Sequence, residues 1–408
     1  MLSVAREREV ILRHSVSIFL VMTIQIMPSA MIGTICASIM VAIYYVYWWY
    51  HERKKLYELR CIRQKLPSDL DTWRVPGRTR DDEERIWETL DPVFRDRGLT
   101  LWPNSFGCTL KTPGTAYPTS SGFAYVTPNR SILKGIGSVY HLMCFDYTNP
   151  LTRMARTPDG HDVAVRVIVI KNEGHEHLKI LRKIATTPRS LLSTNHTLPM
   201  IAEFGYEDII FGIFPRVGSS MKEAFGYWAK NSIGDVMDML LQALEALAFI
   251  HDMNIAHRDA FHDNFLVQWQ PESMHSMTIP TSRPRVYLID FEVAVEYPEE
   301  CPLAERLTTG YPLGGSFLEP AMYSRPLAPE MTTNKPYCPF KLDVWQLGYS
   351  FTSVEFKTTI TDIDTILHDM VHAQPTARKS AGETLAILKN VIHNIPPTSL
   401  LICPSIIE

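Results

Sequence analysis

No cysteine pair at CxxC spacing, no HExxH motif and no internal repeat occurs in this chain. Its seven cysteines, Cys36, Cys61, Cys108, Cys144, Cys301, Cys338 and Cys403, are scattered and odd in number. That argues against a disulfide framework or a zinc site and reads as reduced thiols in a cytosolic compartment. His175, His177, His251, His257 and His262 stand at no metal-ligand spacing and read as structural or surface residues. A long basic stripe is also missing, and the net charge is −4, so nucleic acid is not an expected partner. Charge itself is absent from Ser15 to Tyr50.

That uncharged run is split by Pro28. Its second part, Ala30 to Tyr50, has about the length a helix needs to cross a bilayer. It ends in Tyr44, Tyr45, Tyr47, Trp48, Trp49 and Tyr50, followed by Arg53, Lys54, Lys55, Arg60, Arg63 and Lys65. Aromatic side chains at an interface and a basic flank predict one crossing, with the bulk of the chain on the cytosolic side. A signal peptide and a cramped helical hairpin are the competing readings. The expected division is a tail over 1–29, a transmembrane helix over 30–50 and a juxtamembrane helical and loop segment over 51–125. In that segment Ile86, Leu90, Val93 and Phe94 recur at helical spacing, and Asp91 before Pro92 reads as the start of a new helix. The stretch PNSFGCTLKTPGTAYPTSSG reads as loop.

The informative stretch is HRDAFHDN, His257 to Asn264. Before it, Val236, Met239, Leu240, Ala243, Leu244, Leu247 and Ile250 recur at helical spacing, and Ser232 can cap the start. After it, FLV reads as a short strand. An acid on such a loop can accept a hydroxyl proton. Asn264, five residues on, and Asp290, at the end of the apolar run from Val286 to Ile289, can face a metal on nucleotide phosphates.

With that motif the chain resembles the protein kinase superfamily. The likeness continues in order through Ala328-Pro329-Glu330, through Asp343, Trp345 and Gly348 in KLDVWQLGYSF, and through Arg378 in ARKSAGETL. It resembles the divergent kinases of fungi. The resemblance implies an α+β, two-lobed fold over 126–395 with a small β-rich lobe, a larger helical lobe and a C-terminal tail over 396–408. It implies ATP and Mg²⁺ as cofactors and a protein substrate. Asp259 would be the catalytic base, Arg258 would brace the activation segment, and Asn264 and Asp290 would hold the metal. His257, Glu330, Asp343 and Arg378 would be structural, Asp343 bracing the loop and Arg378 pairing with Glu330. Whether the acceptor is Ser/Thr or Tyr stays open.

In the nucleotide lobe, Gly135 and Gly137 in ILKGIGSVY resemble the glycine-rich loop, with Tyr140 at the third glycine position. The following strand, DVAVRVIVI, carries Arg166 where the family has a phosphate-binding Lys. Alternation puts Ala164 and Arg166 on one face and Lys171 on the other. Glu176 is the expected helical partner of Arg166, with Glu173 as the alternative. In IIFGIFPRVGSSM, Ile213 would be the gatekeeper, and the Phe214 carbonyl and Arg216 N–H would meet adenine. Glu292 replaces the Gly of Asp-Phe-Gly, and Phe261 stands where serine/threonine kinases usually carry Lys. Residues 268 to 285 read as an inserted surface loop. The expected function is a membrane-anchored protein kinase; the alternative is a pseudokinase acting as a binding or scaffolding module.

Overall fold

The structure is a computed structural model that describes residues 29–74, 79–106, 109–113, 144–146, 149–218, 220–226, 232–268 and 283–405. Gly135, Gly137 and Tyr140, most of the expected tail over 1–29 and the middle of the inserted loop lie outside these residues. The chain divides into two units, up to Gln64 and from Lys65 onward.

In the first unit, helix α1 (Ser29–Arg63) does not stop at Tyr50. It runs on through Glu52, Arg53, Lys54 and Lys55, so the described part of the rod combines apolar with charged side chains. Among the described residues, no helix is long and apolar enough to cross a membrane. The expected span over 30–50, the membrane partner and the cytosolic placement derived from it do not hold.

The second unit begins well before the expected domain start at 126. Helices α2 (Leu70–Arg74) and α3 (Arg80–Arg95) bury Trp73, Trp87, Leu90, Val93 and Phe94. The expected break at Asp91 is absent: α3 is capped at Thr79 by a reciprocal capping box with Asp82 and passes unbroken through Pro92. Asp91 pairs with Arg95 at 2.6 Å instead. Part of the expected loop is strand. Strands β1 (Thr100–Leu101), β2 (Asn104–Phe106), β3 (Thr109–Lys111) and β4 (Cys144–Asp146) precede β5 (Thr152–Arg156) and β6 (Asp162–Ile170). A segment read as a spacer is therefore part of the small lobe.

Helix α4 (His175–Ile184) follows, then β7 (Ala202–Tyr206) and β8 (Ile209–Pro215). The main sheet is antiparallel in the order β1-β5-β6-β8-β7, and β2-β3-β4 form a second sheet. From Val163 to Ile170 the β6 run is apolar on both faces except at Arg166, as expected of a strand with a helix on one side and a cleft on the other.

The helical lobe is built on α5 (Met221–Gly226) and α6 (Ile233–Asp252). The α6 start is fixed by a capping box between Ser232 and Asp235, and its buried stripe is the one read from the sequence. Short strands β9 (Ile255–Ala256), β10 (Phe265–Val267), β11 (Val286–Leu288) and β12 (Val295–Glu296) follow. β10 pairs with β11 and β9 with β12. Helices α7 (Pro339–Thr352), α8 (Thr361–Met370), α9 (Ala381–Asn394) and α10 (Pro397–Leu400) complete the lobe. The expected tail is attached: Ile402 accepts from the Ile233 N–H at 2.8 Å, and Lys357 and Ser405 exchange backbone bonds at 3.0 Å.

Candidate active site

Helix α7 holds the loop His257–Asn264 through three side chains on one face. Asp343, Gln346 and Ser350 are spaced three and four residues apart, so they line up toward the same neighbour. Asp343 is fully buried and accepts the His257 N–H at 2.8 Å and the Arg258 N–H at 2.6 Å. Gln346 accepts the Ala260 N–H and donates to the Arg258 carbonyl, both at 2.8 Å. Ser350 accepts the His262 N–H at 3.1 Å. His257 donates from Nε2 to the Ile289 carbonyl at 2.8 Å and accepts the Asp259 N–H on Nδ1 at 3.2 Å. The loop is thereby tied to the segment just after β11 that carries Asp290. Arg258 (φ 69°) and Asp290 (φ 67°) both sit in the left-handed region, which non-glycine residues avoid unless their surroundings enforce it. Arg258 also reaches the Tyr311 carbonyl at 3.4 Å, a contact with the segment it was expected to brace.

Asp259 and Asn264 meet at the loop's inner edge. The Asn264 amide donates to the Asp259 carbonyl and to its Oδ2, both at 2.7 Å. Asp259 Oδ2 also accepts from Arg325 at 2.9 Å, while Asp259 Oδ1 is buried with no partner among the described residues. Arg325 binds Asp263 at 2.5 Å and lies 5.3 Å from the Phe261 ring centroid. The sequence reading missed Arg325. The signal available was Phe261 itself: with Phe where a Lys is usual and Arg258 turned to Tyr311, the two acids of the loop take their cation from elsewhere.

At the nucleotide end, Arg166 lines the cleft but does not pair with Glu176. Glu176 has a side chain 84% exposed and approaches Lys179 at 3.8 Å. On α4 the side chains turned to the cleft are His177 and Leu181, one helical turn apart. Glu173, the other candidate, accepts the Leu70 N–H at 2.8 Å. The partners of Arg166 are Asp290 at 2.9 Å and Glu292 at 2.5 Å, and Arg74 of α2 joins Glu292 at 3.1 Å. The residue read as a departure from the family pattern thus supplies the carboxylate that α4 does not.

The electrostatics follow from this packing. Burial alone would raise the Glu292 carboxyl, but Arg166 and Arg74 overcome it and hold it at about 2. Burial pushes Asp290 up, with Arg166 opposing and Glu292 reinforcing the rise. Burial and the nearby Arg166 hold the His177 imidazole down at about 3, so it is neutral.

The hinge differs from the expected register by one residue. Ala164 is opposite Phe214, the Arg216 N–H donates to the Asp162 carbonyl at 3.2 Å, and the Ile213 carbonyl accepts from Ile201 at 2.9 Å. Phe214, not Ile213, therefore shares a face with Ala164 and Arg166 and lines the cleft. The Arg216 N–H is occupied by the sheet ladder, and its guanidinium lies 4.8 Å from the Trp102 ring centroid. Apolar residues run continuously along both faces of β8, so periodicity does not set the phase.

Farther from the cleft, Arg378 and Glu330 form a buried fork at 2.5 and 2.8 Å. The cleft itself has a volume of about 910 Å³ and is lined by Ala164, Arg166, Phe214, Asp259, Asn264 and Asp290 among others. The donors fit Mg²⁺: Asp290 brings a carboxylate and Asn264 an amide oxygen, hard oxygen ligands of the kind this ion takes together with phosphates.

A β-rich lobe and a helical lobe around a cleft, with a loop acid, an amide and an acid just past the end of β11 at its edge, define a protein kinase-like fold. The chain belongs to the protein kinase domain family, whose model matches residues 173–394. It is similar to a probable casein kinase II subunit alpha homolog of Encephalitozoon cuniculi, with 22% identity over 47% of this chain and 46% of that protein. It is also similar to the serine/threonine-protein kinase ppk8 of Schizosaccharomyces pombe, with 29% identity over 29% of this chain and 19% of that protein. The chain thus spans less than half the length of these relatives. The match begins after β6, so Arg74 and Arg166 lie ahead of it.

Proposed function

We propose that this chain is a protein kinase that transfers the γ-phosphoryl group of ATP to a protein hydroxyl. The observation that carries this reading is the loop held by Asp343, Gln346 and Ser350, which sets Asp259, with one oxygen unpaired among the described residues, beside the cleft that Asp290 and Asn264 also line. Asp259 Oδ1 is the atom to accept the hydroxyl proton. Asp290 and Asn264 would hold Mg²⁺, which when bound with ATP neutralises charge on the phosphates. Arg166 is the cation for those phosphates. On the hinge, the Pro215 carbonyl and Val217 N–H, one residue beyond the groups first expected, are the edge for adenine. The name of the ppk8 relative supports a serine or threonine acceptor.

The test is transfer from γ-labelled ATP to generic protein substrates and to the chain itself, with Mg²⁺ or Mn²⁺ and Asp259→Asn as control. Transfer that vanishes in the control supports the enzyme. A second reading, a nucleotide-binding module without turnover, is favoured by the cations already on Asp259 and Asp290, namely Arg325 and Arg166. ATP binding with no transfer in any condition selects it.

A further inference from the structure

We propose that Glu292 is a positioning residue for Arg166, and that Arg74 of the preceding segment holds it there. The nucleotide cleft is then completed by a part of the chain outside the matched domain. The inference rests on the nucleotide-binding reading above.

One oxygen, Glu292 Oε1, receives both guanidiniums, Arg166 at 2.5 Å and Arg74 at 3.1 Å. All three side chains are nearly buried, at 15%, 11% and 7% exposure for Arg166, Arg74 and Glu292. With Asp290, the group is a quartet of two cations and two acids. The balance matters when an anionic phosphate arrives. Arg166 must then turn donors from its carboxylates to the phosphate, and a buried carboxylate stripped of its cation is strongly disfavoured. Arg74 gives Glu292 a cation of its own, so Arg166 can be shared at lower cost. The Nε atoms of Arg74 and Arg166 are buried and without partners among the described residues, so both retain unused donors.

The rest of the local structure holds this arrangement in place. Arg74 ends α2, whose Leu70 N–H is bound by Glu173 just ahead of α4. Trp73 beside it is buried, 5.9 Å from Trp87 between ring centroids. On the opposite side, Gly315 leaves room for the carboxylate. A Cβ there would stand 2.3 Å from Glu292 Oε2 and 2.8 Å from Glu292 Cβ. Residue 315 also has φ +55°, which favours glycine.

The experiment uses the full chain. A fluorescent ATP analogue with Mg²⁺ is titrated into the parent, Arg74→Ala, Arg74→Lys, Glu292→Gln and the Arg74→Ala/Glu292→Gln double variant. KM for ATP, kcat and the urea midpoint are measured beside it. Arg74→Ala is expected to weaken nucleotide binding and raise KM roughly tenfold, the size of a lost charged hydrogen bond, with a smaller change in kcat. Arg74→Lys restores part of this, because it keeps the charge but not the fork. In the Glu292→Gln background, Arg74→Ala adds nothing further. Additive losses, or a lowered urea midpoint with parental nucleotide affinity, overturn the proposal and leave Arg74 an anchor of the fold. If Arg74→Ala does not fold, Arg74→Lys and Gly315→Ala decide: weakened binding supports the proposal and parental binding in both overturns it. A parent that binds no nucleotide removes the nucleotide reading together with this inference. A parent that binds while its Arg74 variants match it removes this inference alone.

Discussion

Asp259 and Asp290 line the same cleft but are held by different cations, and that separates their roles. Asp259 shares one oxygen between Asn264 and Arg325 and keeps the other without a partner among the described residues. Asp290 is engaged by Arg166. Asp259→Asn is therefore expected to abolish transfer while nucleotide affinity stays within about twofold, since the proposed mechanism has that acid act on the acceptor hydroxyl. Asp290→Asn is expected to weaken Mg²⁺-dependent nucleotide binding by tenfold or more, roughly the worth of a charged contact. Titration with and without Mg²⁺ tests both, and equal loss of affinity in the two variants contradicts the assignment. Arg166→Lys tests the cation. A Lys carries the charge as a point on a flexible stem and cannot reproduce the guanidinium donors that Asp290, Glu292 and the buried Nε position imply. Its kcat/KM for ATP is expected to fall about tenfold; a rise would show a cleft shaped for Lys.

Among the elements, α7 and the loop it holds were the most legible part of the sequence, and the hinge strand the least. HRDAFHDN has polar residues at fixed spacing after an amphipathic helix, so its position follows from local pattern, while its brace at Asp343 is what the family resemblance implies. The pairing of Glu330 with Arg378 was legible for a similar reason, as a buried charge needs a partner and the family motifs present one. In β8 both faces are apolar, so periodicity could not set the phase and the hinge was read one residue off. Glu176 is the one acid of a short amphipathic helix and lies in its first turn, yet α4 turns His177 and Leu181 inward. Arg74, Arg325 and Glu292 meet their partners across long stretches of chain, and no period in the sequence records such meetings. The Glu330–Arg378 fork offers a stability test at this scale. Both side chains are buried, so Arg378→Ala strands a carboxylate and is expected to cost about 3–5 kcal/mol. Replacing both, as Glu330→Gln with Arg378→Met, should recover part of that loss. Urea denaturation measures it, and a single variant within about 1 kcal/mol of the parent would show that Glu330 finds another partner.

For the molecule as a whole, buried neutral histidines set the expected response to acid. His177 faces Arg166, Glu292, Arg74 and His257, and burial with Arg166 and Arg74 holds it down at about 3 against the opposing Glu292. His262, beside Asp263, Lys222 and Arg325, is held at about 4, chiefly by burial, and His196 is lowered as well, again chiefly by burial. In the unfolded chain each returns to about 6.5. Below that pH the unfolded state binds protons that the folded state refuses, so stability falls as pH falls. For His177 the loss spans the window from about 6.5 down to its folded value and amounts to about 1.4 kcal/mol per pH unit. Glu292 has the same sign in a lower window: its contribution is complete above the ordinary carboxylate value and lost as pH drops toward about 2. Destabilisation is therefore expected to begin near pH 6.5, where exposed carboxylates are still ionised, and to steepen below about 4.5. Urea midpoints at pH 7.5, 6.5, 5.5 and 4.5 would trace the curve. His177→Gln, which cannot take up a proton in either state, should flatten the part between pH 6.5 and 5 by about one histidine's share. A midpoint that holds constant from pH 7 to 5 would mean that His177 is protonated in the folded state, and the charge balance of the Arg74–Glu292–Arg166 cluster would then have to be redrawn with one more cation.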